Sequence, residues 1–398
     1  MREKCYVIIG TGVAGVTAAE VIRQEDPDGR IILLSKEREL PYARPMLSKA
    51  PLLSLELKKL PIHSAAWYQE QQIELRLGAV ADGLDTERKL VSCGGETLSY
   101  DKCILATGAN NFVPPFQGRE NVTIYGIRTK DDLRRVRRVA GSGKKVVIIG
   151  GGVIGLEMAA ELSHYGLEVT VLEAMEQLMP RLINRGMSDW LCEQLPKLHI
   201  VTGVSIQSLR RDGEMTVVEE KDGRTWACDF LIVSCGVRAD IALAQSAGIA
   251  CERGIVVDEH METSAKDVYA CGDCAQFQGF SAALWSQGQS QGTVAGSSAA
   301  GVPMTYTGCD TSLILNLDGV AIFALGDLGQ RGGEEYRIEE SSWEAKKPFQ
   351  VDLRRPAVPG RGVKVWKNDR LVGVALLGDL TKMHQWKKEL AEQGRDKA

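Results

Sequence analysis

The chain of 398 residues carries 48 Lys and Arg against 52 Asp and Glu, which gives a formal net charge of −4. Because a surface that follows nucleic-acid phosphates needs a basic excess, this balance predicts no nucleic-acid partner. The sequence has no apolar run of about 18 residues, and the segment before Gly10 has no apolar core of signal-peptide length. We therefore expect a soluble, cytoplasmic protein with no membrane partner and roughly two or three domains.

Ten cysteines and five histidines are scattered along the sequence. Their spacings match neither a disulfide scaffold nor a zinc site, so we expect free thiols and no metal ion. Cys271 and Cys274 have the Cys-x-x-Cys spacing of redox-active thiols. Two interpretations of this pair are open: a redox function, or a structural position at a buried strand-to-helix junction.

The N-terminal part of the chain has the pattern of a strand, a glycine loop, a helix and a second strand. The apolar run Cys5–Gly10 ends in glycine turn residues, and a second apolar run covers 31–34. Between these runs, apolar residues recur at three-residue steps, as on one face of a helix: Val13, Val16, Ala19 and Ile22. The pattern predicts a βαβ unit.

The loop of this unit is Gly10-Thr-Gly12-Val-Ala-Gly15. With this spacing, one glycine makes a tight turn, the next lets backbone N–H groups approach a pyrophosphate, and the third lets the helix pack on the strand. The helix N-terminus adds the positive end of its dipole. Glu37 follows the second strand, where a carboxylate accepts from ribose hydroxyls. A glycine turn without a ligand is the alternative, but the strand, helix and acid around the loop favour dinucleotide binding.

The same pattern returns downstream as a strand, a glycine loop, a helix and a strand, at Lys145–Ile149, Gly150–Gly155, Leu156–His164 and Glu168–Leu172. Glu173 directly follows the last of these strands. A carboxylate there accepts from a ribose 2′-OH and repels a 2′-phosphate, which favours NADH over NADPH. Arg181 lies downstream and would soften that preference, so its strictness stays open.

Two more strand-like runs end at Ala109 and Gly236, and from about Tyr306 the pattern changes to short strands and a charged helix near Met383–Gln393. This change predicts a third, smaller α/β domain. Two complete dinucleotide loops in one chain suggest a flavin and a nicotinamide cofactor. The residues alone do not decide which loop binds which cofactor.

Three motifs occur in a familiar order: Ala106-Thr-Gly-Ala109, the second loop with Glu157, and Tyr269-Ala-Cys-Gly-Asp273. Over nearly its whole length the chain resembles the glutathione-reductase-like family of FAD/NAD(P) oxidoreductases. The resemblance implies that the first loop binds FAD, that the second binds NAD(P), and that Asp273 contacts FAD. Since the family's Gly-Asp motif spans 272–273, the structural interpretation of Cys271 and Cys274 is favoured.

The resemblance implies an α/β fold with two Rossmann-type dinucleotide-binding domains and a small C-terminal α/β domain. The FAD domain is split by the inserted NAD domain. The implied boundaries are 1–110 and 240–302 for the two parts of the FAD domain, 111–239 for the NAD domain and 303–398 for the C-terminal domain.

Within that family, the segments 40–49 and 363–379 are similar to those of NADH:rubredoxin reductases and of the NADH- and FAD-binding part of nitrite reductases. Ferredoxin reductases of oxygenase systems share the first segment. The sequence has no cysteine between Cys5 and Cys93, so it lacks the thiolate that disulfide reductases and NADH peroxidases place near the flavin. The resemblance therefore implies hydride transfer from NADH to FAD, followed by direct electron transfer to a small redox protein such as rubredoxin.

Individual residues receive roles from the same resemblance. Lys49 is expected near the flavin N5, where an ammonium stabilises reduced flavin, and Glu157 is expected to pair with it. The alternatives are a surface lysine and a solvated first-turn glutamate. Arg44 contacts FAD or lies free on the surface, and Trp285 lies near the flavin ring or packs in the core.

Lys49 and Glu157 are the candidate catalytic residues. The candidate cofactor-binding residues are these two together with Gly10, Gly12, Ala14, Gly15, Glu37, Arg44, Val80, Ala106, Thr107, Gly108, Gly150, Gly152, Val153, Ile154, Gly155, Glu173, Gly236, Gly272, Asp273 and Trp285.

The run 130–138 predicts a helix with a basic face, which either docks an acidic carrier such as rubredoxin or is simply solvated. Two other functions stay open: an NADH oxidase that uses dioxygen, and a non-catalytic FAD- and NADH-binding subunit of a larger redox complex. The sequence leaves the oligomeric state open between a monomer and a homodimer.

Overall fold

The computed structural model describes residues 3–49, 52–329, 335–345 and 358–395. None of the helices in these ranges has the length and apolar character that a bilayer crossing requires. The chain forms two compact units. The first contains residues 3–46, 56–110 and 237–311, and the second contains 47–49, 52–55, 111–236 and the described residues from 312 onward.

The described residues form eight α-helices, α1 Val13–Glu25, α2 Ala65–Glu70, α3 Lys130–Val139, α4 Val153–His164, α5 Arg185–Gln194, α6 Ala242–Ser246, α7 Trp285–Ala300 and α8 Met383–Arg395. Strands before residue 150 are β1 Cys5–Ile9, β2 Arg30–Ser35, β3 Ile73–Leu77, β4 Ala81–Asp85, β5 Leu90–Cys93, β6 Glu96–Ser99, β7 Lys102–Leu105, β8 Ala109–Asn111, β9 Ile124–Tyr125 and β10 Lys145–Ile149.

Later strands are β11 Glu168–Leu172, β12 Leu198–Val201, β13 Ile206–Asp212, β14 Met215–Glu220, β15 Thr225–Cys228, β16 Phe230–Val233, β17 Val237–Ala239, β18 Ile255–Val257, β19 Val268–Ala270, β20 Ala275–Phe277, β21 Leu313–Leu317, β22 Val320–Gly326, β23 Arg337–Trp343, β24 Gly360–Lys367 and β25 Arg370–Leu377.

A five-stranded sheet in the order β19, β7, β1, β2, β3 forms the centre of the first unit. Its strands pair in parallel, with Val7 of β1 opposite Ile32 of β2 and Cys103 of β7. Strands that are covered on both faces are apolar throughout rather than alternating, and these three side chains are buried accordingly. The parallel order brings the carboxyl ends of β1, β7 and β19 to one edge of the sheet.

Helix α7 lies directly against the backbone of α1 in the first unit. A Cβ atom at Gly292 would lie 2.4 Å from the carbonyl oxygen of Ala14. One turn away on either side, Cβ atoms at Gly288 and Gly296 would each lie 2.7 Å from α1, at the Val13 side chain and the Ala18 carbonyl oxygen. Glycine at this four-residue spacing therefore lets α7 press against the helix that begins at the first glycine loop.

The second unit repeats the parallel arrangement in a sheet ordered β12, β11, β10, β16, β9. Lys145 of β10 lies opposite Glu168 of β11, and Val146 lies opposite Phe230 of β16. The predicted strands at 145–149 and 168–172 match β10 and β11. Helix α4 begins at Val153 rather than Leu156, because the last loop residues already form its first turn.

The C-terminal part of this unit is an antiparallel sheet in the order β21, β22, β25, β24, β23, and α8 packs on it. Val374 and Leu376 of the central strand β25 are fully buried, and Trp386 of α8 joins the same core. The predicted α/β fold, with Rossmann-type parallel sheets and a small C-terminal domain, is confirmed. The domain boundaries from the sequence remain a prediction.

Replacement of Gly292 by alanine tests the contact between α7 and α1. The added methyl group would overlap a backbone carbonyl that cannot rotate away, so we expect Gly292→Ala to destabilise the fold by about 1–3 kcal/mol. Thermal unfolding followed by circular dichroism checks this. Gln289→Ala, on the exposed side of the same helix, is the matched control, and an equal effect of both substitutions would contradict the packing argument.

Candidate functional site

The first glycine loop is shaped by two glycines that admit no side chain. Gly10 has a positive φ of 117°, and a Cβ atom there would lie 2.0 Å from the carbonyl oxygen of Ala106. A Cβ atom at Gly15 would lie equally close to the carbonyl oxygen of Gly10. Gly12, by contrast, faces open space, with no heavy atom within 4 Å of such a Cβ position. The loop is therefore closed toward the sheet and open at the start of α1.

The N-terminus of α1 has no side-chain cap. Gly12 is its N-cap residue, and no side chain accepts from the first N–H groups of the helix there. Ala14 and Gly15 lie in that first turn and are buried. Unpaired N–H donors beside an open space are the arrangement that binds a phosphate anion, so the loop fits the pyrophosphate of a dinucleotide.

The second loop repeats this geometry in the second unit. Gly150 has a φ of 114°, and a Cβ atom there would lie 2.3 Å from the carbonyl oxygen of Ser234. Gly152 is the uncapped N-cap residue of α4 and again faces open space. Val153 and Ile154 begin the helix, and the Ile154 side chain is exposed. The second loop therefore also fits a pyrophosphate.

The carboxylate of Glu37, after β2, already has two donors. The hydroxyl of Tyr42 donates to it at 2.7 Å, and the guanidinium of Arg44 forms an ion pair with it. Burial disfavours the charged form of Arg44, but Tyr42, Glu37 and Asp273 outweigh that effect and raise the pKa of Arg44. The Arg44 side chain is therefore paired and partly buried. A carboxylate has about four acceptor positions, so Glu37 keeps capacity for a ribose hydroxyl.

Val80 is exposed and follows β3, two residues after Gly78, which contacts Glu37. The N–H of Gly78 donates to the carbonyl oxygen of Glu37 at 2.9 Å, and that of Ala79 donates to Ser35. These bonds place the segment 78–80 beside the end of β2. Val80 therefore lies at the same edge of the sheet as Glu37, the predicted ribose acceptor.

Residues at the carboxyl ends of β7 and β19 complete the edge of the first sheet. Thr107 Oγ1 donates to the carbonyl oxygen of Asp240 at 2.6 Å. The N–H of Gly272 donates to the side-chain oxygen of Gln291 on α7 at 2.8 Å. Gly108 and Gly272 both have positive φ values, of 75° and 79°. The predicted residues 106–108 and 272–273 thus follow neighbouring strands.

Trp285 is the first residue of α7 and is half-buried, so the structure leaves both of its interpretations open. Gln287, one turn into the same helix, is buried and accepts a hydrogen bond from the N–H of Ala282. The sequence carried no signal for Gln287, because a glutamine in a helix has many ordinary roles.

Glu173 is held against the second glycine loop. Its carboxylate accepts from the N–H of Gly151 at 2.6 Å and from that of Met175 at 2.8 Å. Glu173, the acid expected to recognise the ribose, therefore has a fixed orientation.

Two further residues named from the sequence lie in the same unit. Gly236 follows β16 with a φ of 89°, and its carbonyl oxygen accepts from the N–H of Phe112. Arg181 is exposed.

Lys49 and Glu157 are in contact. Lys49 Nζ lies 3.0 Å from Glu157 Oε1, and the hydroxyl of Ser48 donates to Glu157 Oε2 at 2.5 Å. The Glu157 side chain is only 7% exposed, so it is not the solvated first-turn glutamate of the alternative interpretation. The Lys49 side chain is 40% exposed. The sequence indicated Lys49 and Glu157 but not Ser48.

Cys271 and Cys274 are both fully buried. Burial raises the pKa of the Cys271 thiol well above its usual value and also raises that of Cys274. The thiol of Cys274 donates to the carbonyl oxygens of Leu105 and Cys271, each at 3.3 Å. Because the thiolate is the reactive form, this environment favours the structural interpretation of the pair.

The basic helix at 130–138 is α3, and part of its charge is used inside the second unit. Lys130 is buried, and Arg134 pairs with Asp131 at 2.6 Å. Arg137 donates to the carbonyl oxygens of Leu52 and Leu55 at 2.7 and 2.8 Å. The run is therefore not a uniformly solvated face.

Among the described residues, no group of three or more acidic, His or Cys side chains could hold a metal ion.

The relatives found by comparison with known proteins are NAD-dependent reductases. The chain is 37% identical over 273 residues to the ferredoxin–NAD(+) reductase subunit of the benzene 1,2-dioxygenase system of Pseudomonas putida, covering 67% of this chain and 66% of that one. It is 30% identical over 331 residues to NADH-rubredoxin oxidoreductase of Clostridium acetobutylicum, covering 82% and 83%. The chain thus spans about two thirds of the length of the first relative.

A solved structure gives the same result. The ferredoxin reductase of the CYP199A2 system from Rhodopseudomonas palustris superposes with a TM-score of 0.84 at 26% identity, covering 97% of this chain and 94% of that one. A family model, described as pyridine nucleotide-disulphide oxidoreductase, matches residues 4–299. The chain therefore belongs to the pyridine nucleotide-disulphide oxidoreductase family, whose cofactors are FAD and NADH, as the motifs predicted.

Proposed function

We propose that the chain is an FAD-dependent NADH oxidoreductase that passes electrons to a small electron-carrier protein, with rubredoxin as the first candidate. The observation that carries the proposal is the repeated, uncapped glycine loop at the N-termini of α1 and α4. One such loop would suit a simple dehydrogenase, whereas two suit a flavin and a nicotinamide cofactor. When bound, FAD accepts two electrons from NADH together and releases them singly, as a one-electron carrier requires.

Each loop is assigned to one cofactor by analogy with the family. The loop at Gly10–Gly15 would hold FAD through the N–H groups of α1, and Asp273 would contact it from the end of β19. The loop at Gly150–Gly155 would hold NADH through the N–H groups of α4. Glu173 would accept from the adenosine ribose, because its carboxylate is already oriented by two backbone N–H groups.

By analogy with the family, Lys49 and Glu157 would take part in hydride transfer. A buried carboxylate needs a counter-charge, and the ammonium of Lys49 supplies it at 3.0 Å. The pair therefore places a positive and a negative group side by side at a defined position. The ammonium suits a reduced, negatively charged ring, and the carboxylate suits an amide donor.

The proposed electron acceptor is inferred from the lack of a cysteine near the first loop and from the relatives of the chain. The sequence has no cysteine between Cys5 and Cys93 to relay electrons as a disulfide, although the family name refers to disulphides. The relatives described above are named as reductases of ferredoxin and of rubredoxin. A small iron–sulfur carrier is therefore the proposed acceptor, and the alignment with the rubredoxin enzyme covers more of both chains.

Anaerobic titration of the purified, flavin-loaded protein tests this function. We expect NADH to bleach the flavin absorbance and oxidised rubredoxin to restore it, with ferredoxin tested in parallel. Restoration by air alone would instead indicate an NADH oxidase. If neither NADH nor NADPH bleaches the bound flavin, hydride transfer is ruled out and a non-catalytic subunit remains.

Replacement of Glu173 by alanine should reduce the preference for NADH. The substitution removes a ribose acceptor and a negative charge that repels a 2′-phosphate. We expect kcat/KM for NADH to fall about tenfold, the effect of one charged hydrogen bond, while that for NADPH stays level or rises. Glu176→Ala makes the same charge change at an exposed position and should leave the ratio unchanged.

Replacement of Lys49 by alanine should slow flavin reduction. It removes the counter-charge of Glu157, so we expect the rate constant at saturating NADH to fall by about tenfold or more, with FAD content retained. Stopped-flow absorbance measures this rate. Lys58→Ala, at a strongly exposed lysine, is the control. An unchanged rate in the Lys49 variant would remove this residue from the catalytic set.

A further inference from the structure

The carboxylate of Glu157 is bound by two consecutive residues, one on each oxygen. Lys49 Nζ lies 3.0 Å from Oε1, and the Ser48 hydroxyl donates to Oε2 at 2.5 Å. Ser48 is itself buried, with 6% of its surface exposed. The two neighbours therefore satisfy the carboxylate from the same short segment.

The two donors differ in how firmly they hold it. Lys49 has a long side chain that is 40% exposed, so solvent screens its ion pair and several rotamers are accessible. Ser48 has one side-chain rotation and is enclosed by protein. Rotation of the Glu157 carboxylate away from Ser48 would leave a buried oxygen without a donor, which costs free energy. The Ser48 hydroxyl therefore restricts this rotation.

Leu52, which follows Ser48 and Lys49 in the chain, contacts two helices of the same unit. On α4, Glu161 lies one turn after Glu157 and accepts from the N–H of Leu52 at 3.3 Å. On α3, Arg137 donates to the carbonyl oxygen of Leu52 at 2.7 Å. Both contacts are made to the backbone of Leu52, so they hold this residue beside α4 and α3. Ser48 and Leu52 therefore contact successive turns of the same helix, at Glu157 and Glu161.

We propose that Ser48 is a positioning residue that acts through Glu157: its hydroxyl orients the carboxylate so that Oε1 remains available to Lys49. The inference rests on the proposed function, in which this pair takes part in the reaction between NADH and FAD. It assigns a role to a side chain that itself need not touch either cofactor. Its signature is an effect on rate that depends on the presence of the Glu157 carboxylate.

A double-mutant cycle in the flavin-loaded protein tests that dependence. We expect Ser48→Ala to lower the rate constant of flavin reduction at saturating NADH about tenfold, with the apparent Kd for NADH changed less than about threefold. When Glu157 has been replaced by alanine, the same Ser48→Ala change should alter the rate less than about twofold, because no carboxylate remains to be oriented. Equal effects in both backgrounds would overturn the proposal.

Two further variants separate the hydroxyl from the space it occupies. Ser48→Thr keeps the hydroxyl and should stay within about twofold of the parent rate, whereas Ser48→Cys keeps the size with a weak donor and should resemble Ser48→Ala. FAD content and Tm are measured for each, and the Thr and Cys pair decides the question if the Ala variant loses flavin. A slow Ser48→Thr variant with full FAD content would contradict the role of the hydroxyl.

Ser54→Ala is the matched control, since Ser54 is an exposed serine of the same segment whose hydroxyl lies 3.3 Å from that of Tyr165. It should leave the rate unchanged, and a loss like that of Ser48→Ala would indicate a general effect of the segment and overturn the specific role. The parent protein separates the two proposals. Absence of bleaching by NADH in the parent rejects the proposed function, and the positioning role with it. Bleaching of the parent, with an equal rate constant of flavin reduction in the parent and in Ser48→Ala, rejects the positioning role alone.

Discussion

The candidate site depends on one electrostatic feature, the backbone N–H groups that no side chain caps at the N-termini of α1 and α4. A helix leaves its first N–H groups unpaired, and an anion can approach them only where no side chain intervenes. At Gly12 and Gly152 the space in front of the helix is open, while Gly10 and Gly150 turn the chain with positive φ against the neighbouring strand. The two loops therefore share one geometry, which leaves the N–H groups of both helices accessible to an anion.

The packing around the first loop shows how far the constraint extends. Helix α7 approaches α1 through the spaced glycines 288, 292 and 296, and Gln291, between them, accepts from the N–H of Gly272. The same helix therefore fixes the loop's helix and the Gly-Asp turn after β19. The buried thiols of Cys271 and Cys274 flank that turn and fill space without offering a thiolate.

The sequence predicted those parts of the fold and the candidate site that depend on local pattern. The strands at 145–149 and 168–172 and both glycine loops could be identified because buried parallel strands are apolar throughout and glycine spacing reflects loop geometry. The contacts of Ser48 and Arg137 could not be predicted. Each contact joins residues far apart in the chain. Nothing in the sequence around a serine, or around an arginine in a basic run, indicates which distant residue it will contact.

The four-residue spacing on α4 has a consequence for how the chain can vary. Glu157, Glu161 and Tyr165 lie one turn apart and contact Ser48, Leu52 and Ser54 in the same order. Since each residue of an α-helix advances the chain by about 100° around the axis, one inserted or deleted residue between them would turn the following contacts away from the segment. This helix can therefore accept changes of residue type over evolutionary time far more readily than changes of length.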